Sequence, residues 1–448
     1  MKKIITAIVT LMLFSLPVNA NSIEKVLSKQ HVNSSAVSIS VKNADTGEKI
    51  YSLNDRTPRQ PASTLKVITT AASIDTLGRD YEFTTSLYKS TNNDLYIKLG
   101  ADPFLTSNDL KTLISRAKEK DIIPKTIYTD SNIFDNTEWG EGWQWDDDLN
   151  PYMPKFSAYN LDGNLINIEI TPQKNGTAPV IAVKPFYPVT IMNLVTTRYN
   201  EKNNVTLTRN NSIAPNIINA NGTLSKQTII KIPVNNPQLY FNIRLQEAIR
   251  NRKLPYYDSI KIGALPNKNI YLVEKITNSI DKAVRSSLKD SNNLVAETLF
   301  KLAGGKYANS TGNNQNSINM LLSYLDKLEI KSEDIKIVDG SGVSKNNIIT
   351  SDFMTDFLIK LSKRENFDEY KEFMPTPGEG TLKNRMLYFK GNLRAKTGTL
   401  SNTSSITGYI TTRKGCNYVF NIIIQDAKTS ENDKKNIEEL ILREIYTN

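Results

Sequence analysis

Histidine and cysteine are nearly missing from this chain of 448 residues, which carries one of each, His31 and Cys416. A Ser-His-Asp or Cys-His hydrolase needs an imidazole beside its nucleophile, and His31 lies in a polar stretch near the N-terminus that reads as surface. Zinc sites usually take more than one histidine or cysteine, so no metal and no cofactor are expected. A single cysteine cannot close an intramolecular disulfide. Cys416 opens the strand-like run Cys416-Asn417-Tyr418-Val419-Phe420 and is expected in a core rather than as a reactive thiol. Long apolar runs are missing too. Ile4 to Leu16 spans thirteen residues, against about 20 for a helix that crosses a membrane. Preceded by Lys2 and Lys3 and followed by Pro17-Val18-Asn19-Ala20, it reads as a secretory signal peptide over residues 1–20, cleaved after Ala20. The mature protein is then expected in the periplasm, with no stable membrane span. Net charge is +10, and losing Lys2 and Lys3 leaves a modest surplus that forms no basic run. Nucleic acid is therefore not an expected partner. The surplus would suit another anionic polymer such as cell wall, or be nothing more than a solvated surface.

What is present describes a globular chain, with hydrophobic content of 39% and charged content of 23%, long enough for two or three domains. Val37, Ile39 and Val41 alternate with polar residues, and the turn Asn43-Ala44-Asp45-Thr46-Gly47 leads to a second run over Lys49 to Leu53, a β-hairpin pattern. Ser63 to Leu77 reads as a helix stopped by Gly78. At the far end, Ile406 to Thr412 and Tyr418 to Ile424 are strand-like. Ile437, Leu440, Ile441 and Ile445 then mark one face of a terminal helix. Both chain ends are thus expected to build one antiparallel sheet with helices packed on it, an α/β (α+β) fold. The middle differs in texture, with short strands and Asn/Pro/Gly turns from 85 to 271. Helical periodicity resumes near Ile276 and runs through Leu294 to Leu302, Ile318 to Leu328 and Phe353 to Leu361. The expected domains are a catalytic one over 21–84 with 272–448, and a β-rich insertion over 85–271 that is itself divided into two subdomains.

Three short motifs carry chemistry. Ser63-Thr64-Leu65-Lys66 places a hydroxyl and an amine three residues apart, on one face of a helix start where backbone N–H groups point at developing charge. Ser-x-x-Lys also begins at Ser22, Ser86, Ser115, Ser279 and Ser286. Small Ala62 before it, a helix after it and a hairpin upstream set Ser63 apart. Lys396-Thr397-Gly398, followed by Thr399, occurs once. On a strand edge Gly398 would admit substrate backbone, while Lys396, Thr397 and Thr399 would offer a cation and hydroxyls to a carboxylate. Otherwise it is a glycine turn before a hairpin. Ser291-Asn292-Asn293 is the third, and its bland reading makes Ser291 the N-cap of the following helix.

In this order the trio resembles the active-site set of β-lactamases and penicillin-binding proteins, Ser-x-x-Lys, Ser-Asp-Asn and Lys-Thr-Gly. The chain resembles the low-molecular-mass class C penicillin-binding proteins, a D-alanyl-D-alanine carboxypeptidase/endopeptidase family. Gly100-Ala101-Asp102-Pro103-Phe104-Leu105, Gly142-Trp143-Gln144-Trp145-Asp146, Asp339-Gly340-Ser341-Gly342-Val343-Ser344 and Gly380-Thr381-Leu382 are similar to further family segments. The long gap between Ser63 and Ser291 also fits that family, whereas β-lactamases keep the first two motifs close. Asn292 stands where the family has aspartate.

The resemblance implies a penicillin-binding transpeptidase-like fold with a large β-rich insertion. It also implies a serine peptidase acting on peptidoglycan stem peptides, inhibited covalently by β-lactam antibiotics. Ser63 would attack the penultimate D-alanine carbonyl with Lys66 as base, Ser291 would relay a proton to the leaving amine, and Asn293 would steady Lys66 and bind the substrate amide. Backbone N–H groups of Ser63 and Thr399 would form the oxyanion hole. Lys396, Thr397, Gly398 and Thr399 would hold the terminal carboxylate. A lysine at pKa ~10.4 must fall to ~7 to serve as base, roughly 4 kcal/mol, which burial and a second cation such as Lys396 could supply. Trp139, Trp143 and Trp145 read as a packing nucleus. Asp147 is the family's match for an aspartate that reads the free amine of diaminopimelate. A β-lactamase or a non-catalytic peptidoglycan-binding scaffold are the competing readings.

Overall fold

The structure is a computed structural model that describes residues 20–210 and 214–447. The expected signal peptide lies outside the described residues except for Ala20. No described helix is long and apolar enough to cross a membrane. The described residues form two compact units, one built from residues up to Arg59, Ile349–Lys371 and Pro375 onward, the other from Gln60–Ile348 with Glu372–Met374.

The first unit is organised by a five-stranded sheet. Its strands are β1 (Val37–Asn43), β2 (Lys49–Leu53), β3 (Leu393–Leu400), β4 (Thr403–Thr411) and β5 (Asn417–Gln425), in the order β3-β4-β5-β1-β2. Every neighbouring pair is antiparallel, and β1 against β5 joins the two chain ends in register Ile39↔Ile422 and Val41↔Phe420. β-Branched residues at alternate positions of β1 and in the run Ile422–Ile423–Ile424 of β5 suit a pleated surface covered by helices. Ser351–Ser362 packs on β1 and β5, and Glu431–Thr447 packs on β4. The terminal helix buries Ile437, Ile441, Leu442 and Ile445 against Ile39, Val41 and Phe420. Cys416 sits just before β5, partly buried at the edge of this core, and His31 is exposed.

The second unit carries the helices around the first two motifs. Lys66–Leu77 packs on Asn293–Ala308, which packs on Asn314–Lys327. Its β part holds a five-stranded sheet and two of three strands, over a core that includes Leu87, Ile97, Ile168, Ile218 and Phe241. Two helices also lie among these strands, Ser107–Glu119 and Pro237–Arg252. The first begins in a capping box, Thr106 with Asp109, and the second at Asn236 followed by Pro237, both start signals of the ordinary kind. Helical structure resumes at Ile280 rather than near Ile276. Ile270–Ser279 is a strand paired with Glu82–Ser90, where Val273, Ile276 and Thr277 favour the pleat, and Ser279 caps the helix that follows.

Candidate active site

Ser63 does not sit in an α-helix. Ala62–Leu65 is a 3-10 turn, and the α-helix starts at Lys66 and stops at Gly78, which has a φ of 90°. Ala62 has a left-handed φ of 49°, a conformation that costs a residue with a Cβ roughly 1–2 kcal/mol. The tight turn leaves Ser63 half-buried while Lys66, one turn on, is fully buried.

Lys66 Nζ has three partners. It lies 2.8 Å from Ser63 Oγ and donates to Asn293 Oδ1 at 2.6 Å and to the Ser341 carbonyl at 2.6 Å. Asn293 is the first residue of its helix, and its Nδ2 donates to the Tyr152 carbonyl at 2.8 Å. Ser291 stands two residues earlier with a left-handed φ of 58°. It is not the helix cap. Asn292 is, its Oδ1 accepting from Val295 N at 3.2 Å, a duty that asparagine and aspartate perform about equally. The change from aspartate at this position thus keeps the cap.

Burial pushes the Lys66 amine down to about 7, against the opposing pull of the Asp339 and Glu297 charges. Burial alone is thus enough to free the lone pair near neutral pH.

The Asp339-Gly340-Ser341-Gly342 loop supplies the third partner. Asp339 is buried and accepts from Trp143 Nε1 at 2.9 Å, Gly342 N at 2.8 Å, Ser344 N at 2.7 Å and Asn347 Nδ2 at 2.8 Å. Both glycines are forced by close approach. A Cβ on Gly340 would stand 2.5 Å from Phe300 Cβ, and one on Gly342, at φ 78°, 2.0 Å from the Ala62 carbonyl oxygen. Sequence reasoning noted this segment only as a family likeness and assigned it no role. Glu297 was missed altogether, though it lies one helical turn after Asn293 amid apolar residues, where a carboxylate needs donors.

The tryptophans divide. Trp143 is buried with Met153, Phe156 and Leu294, and Trp139 packs edge-on against it at 5.0 Å between centroids. Trp145 departs from the packing-nucleus expectation, being 76% exposed, because it opens the turn Trp145–Asp147 at the surface. Of the neighbouring aspartates, Asp148 is taken by the buried Arg209 at 3.1 Å. Asp147 is half-buried, and burial first, then the Asp146 charge, pushes its carboxyl up.

Lys396, Thr397, Gly398 and Thr399 lie on β3, the outer strand of the first unit's sheet. An outer strand offers backbone groups to an extended peptide. Lys396 is buried with its Nζ donating to the Thr397 carbonyl at 2.7 Å, and Thr397 Oγ1 meets Thr381 Oγ1 at 2.8 Å. Thr381 belongs to the Gly380-Thr381-Leu382 segment, so those two family likenesses touch. Among the described residues no group of histidine, cysteine, aspartate and glutamate is arranged to hold a metal ion.

Residues 19–444 match the D-Ala-D-Ala carboxypeptidase 3 (S13) family. The D-alanyl-D-alanine carboxypeptidase DacB of Haemophilus influenzae is 24% identical over 442 residues, covering 94% of this chain and 92% of the relative. The D-alanyl-D-alanine carboxypeptidase of an Actinomadura species is 24% identical, covering 87% of this chain and 77% of that one. The crystal structure of penicillin binding protein 4 (dacB) from Haemophilus influenzae superposes with a TM-score of 0.84 at 22% identity, over 95% of this chain and 99% of that one. The fold is therefore the penicillin-binding, transpeptidase-like one expected, and the chain belongs to the D-Ala-D-Ala carboxypeptidase 3 (S13) family of serine peptidases.

Proposed function

We propose that this protein is exported to the periplasm and cleaves D-alanyl bonds of peptidoglycan stem peptides through an acyl-enzyme on Ser63, with Lys66 as the general base. One observation carries the assignment: Lys66 Nζ is 2.8 Å from Ser63 Oγ, and its other two partners, Asn293 Oδ1 and the Ser341 carbonyl, can only accept. A neutral amine has two N–H bonds and one lone pair. With both N–H bonds taken by acceptors, the lone pair is left for the Ser63 hydroxyl proton. Such general-base assistance is worth ~10²–10⁴-fold.

In this reading Ser63 Oγ attacks the carbonyl of the penultimate D-alanine while its proton passes to Lys66. The leaving amine takes a proton by way of Ser291, and water then hydrolyses the ester. Lys396, Thr397, Gly398 and Thr399 bind the terminal carboxylate, and the backbone N–H of Ser63 receives the oxyanion. Asp147 reads the free amine of a diaminopimelate side chain. Removal of a terminal D-alanine and cutting of a cross-link are the same chemistry on different leaving amines, and we assign both. β-Lactams acylate Ser63 by the same attack, a reading supported by the solved complex of the Haemophilus influenzae protein with a novel beta-lactam. The assembled Ser63–Lys66–Asn293 contact disfavours a non-catalytic scaffold, and nitrocefin turnover separates a β-lactamase from a slowly deacylating peptidase.

The test pairs product mass spectrometry on purified muropeptides with covalent labelling by a fluorescent penicillin. The wild type should release one alanine from pentapeptides, convert cross-linked dimers to monomers, and take up label at Ser63. Ser63→Ala should do none of these. Label on another serine in that variant would overturn the assignment.

A further inference from the structure

Behind Lys66 lies a buried carboxylate that the catalytic steps above do not use. Glu297 is 2% exposed. It sits one turn after Asn293 on the same helix, so one face carries both the amide that contacts Lys66 and this acid. Its two oxygens accept from the backbone of the Asp339-Gly340-Ser341-Gly342 loop. Ser341 N donates to Oε1 at 2.7 Å, and Gly340 N lies 3.1 Å from both Oε1 and Oε2. The far side of the same stretch is fixed by Thr69 Oγ1, which donates to the Gly340 carbonyl at 2.7 Å. What this loop offers to the reaction is the Ser341 carbonyl, 2.6 Å from Lys66 Nζ.

The chain of contacts is short and each link has one direction. Glu297 accepts from the N–H of residue 341, and the carbonyl of residue 341 accepts from the catalytic amine. Without the first link, two buried backbone N–H groups lose their partner, and the loop can satisfy them only by moving. Moving the loop moves the carbonyl. The Lys66 amine, which needs two acceptors to aim its lone pair at Ser63, is left with Asn293 alone.

We infer that Glu297 is a positioning residue for the acylation step, acting through the Ser341 peptide to orient the Lys66 amine. The inference rests on Lys66 being the base.

A structural hydrogen bond alone would not require a carboxylic acid. The charged groups in play around Glu297 are Lys66, Asp339 and Lys301. Burial first, then the Asp339 charge, pushes Glu297 up to about 8, while its charge in turn raises both Lys66 and Lys301. The negative charge of Glu297, when present, favours the proton on Lys66, so this acid bears on the amine through its field as well as through the loop. Replacing it with the isosteric amide keeps an acceptor for Ser341 N and removes the charge. The sign follows: Lys66 loses its proton at lower pH.

The experiment measures the second-order acylation rate of the mature protein by benzylpenicillin between pH 5 and 10, for the wild type, Glu297→Gln and Glu297→Ala. Glu297→Gln should keep the alkaline plateau within about threefold, with any displacement of the acid limb toward lower pH. Glu297→Ala should lower the plateau at least about tenfold, a part of the ~10²–10⁴-fold that a well-placed general base is worth. An acid limb in Glu297→Gln displaced to higher pH overturns the inference, and so does a wild-type plateau in Glu297→Ala. If Glu297→Ala does not fold, Glu297→Asp takes its place: one methylene shorter, it draws the acceptor back from Ser341 N, and a wild-type plateau in that variant overturns the inference. A wild type with no acid limb near neutral pH overturns instead the assignment of Lys66 as base.

Discussion

The position of the Lys66 proton can be read directly from a rate. With burial holding that amine at about 7, the neutral fraction is about one half at pH 7, about nine tenths at pH 8 and about one hundredth at pH 5. If only the neutral amine accepts the Ser63 proton, acylation by a β-lactam should rise about ninetyfold from pH 5 to pH 8 and then level off. An ordinary lysine behaves differently. Near 10.4 it would be neutral in about one molecule in 2,500 at pH 7, and the rate would climb about tenfold per pH unit all the way to pH 10. The two cases share the same slope below pH 6, and between pH 8 and 10 the ordinary lysine gains about seventyfold while the buried one stays level. Stopped-flow acylation with nitrocefin as reporter covers this range, since its reacting amide has no titrating group there. A rate still rising with unit slope above pH 9 would falsify the buried, neutral amine and with it the geometry of the three partners.

Two further substitutions probe the surroundings. Gly342→Ala places a Cβ at a φ of 78° and 2.0 Å from the Ala62 carbonyl, which should cost roughly 2–5 kcal/mol of stability. Because Ala62 precedes the nucleophile, acylation should slow even in the fraction that folds, and an unchanged melting temperature with an unchanged rate would contradict this. Asp147→Ala should lower kcat/KM on diaminopimelate-containing peptides about tenfold or more, the worth of one charge-assisted hydrogen bond, with penicillin acylation unchanged. Since burial and Asp146 raise the Asp147 carboxyl, the wild type's preference for such peptides should fade on acidification sooner than an exposed aspartate would allow. Equal losses on peptide and penicillin would instead make Asp147 structural.

The parts of this fold that were legible in the sequence are those where a local period or cap decides the outcome. β1, β2, β4, β5 and the terminal helix follow from alternation and from a stripe at helical spacing, within a few residues of their ends. The misses have physical reasons. Ser63 reads as part of a helix because a 3-10 turn and the first turn of an α-helix share the same local spacing, and only the left-handed Ala62 tells them apart. Helical periodicity reads as resuming near Ile276, inside the strand Ile270–Ser279, because Ile276 fits an apolar stripe at either period. In the site, Ser63, Lys66 and Asn293 were nameable from their motifs. The Ser341 carbonyl was not, since a backbone oxygen leaves no mark on residue identity. Glu297 left one, an acid among Val295, Ala296, Leu299 and Phe300, and the question of where such a group finds donors would have pointed to a partner loop.

Asn293 faces constraints from two sides. Its oxygen meets the Lys66 amine and its nitrogen meets the carbonyl of Tyr152, so turning the amide by half a revolution would set donor against donor and oxygen against oxygen. An aspartate there would bring a second oxygen up to that carbonyl, and a serine would reach only one of the two. The residue type at this position is thus dictated before any substrate arrives: the pocket has polarity on both flanks, and only a side chain that is half donor and half acceptor lies flat between them.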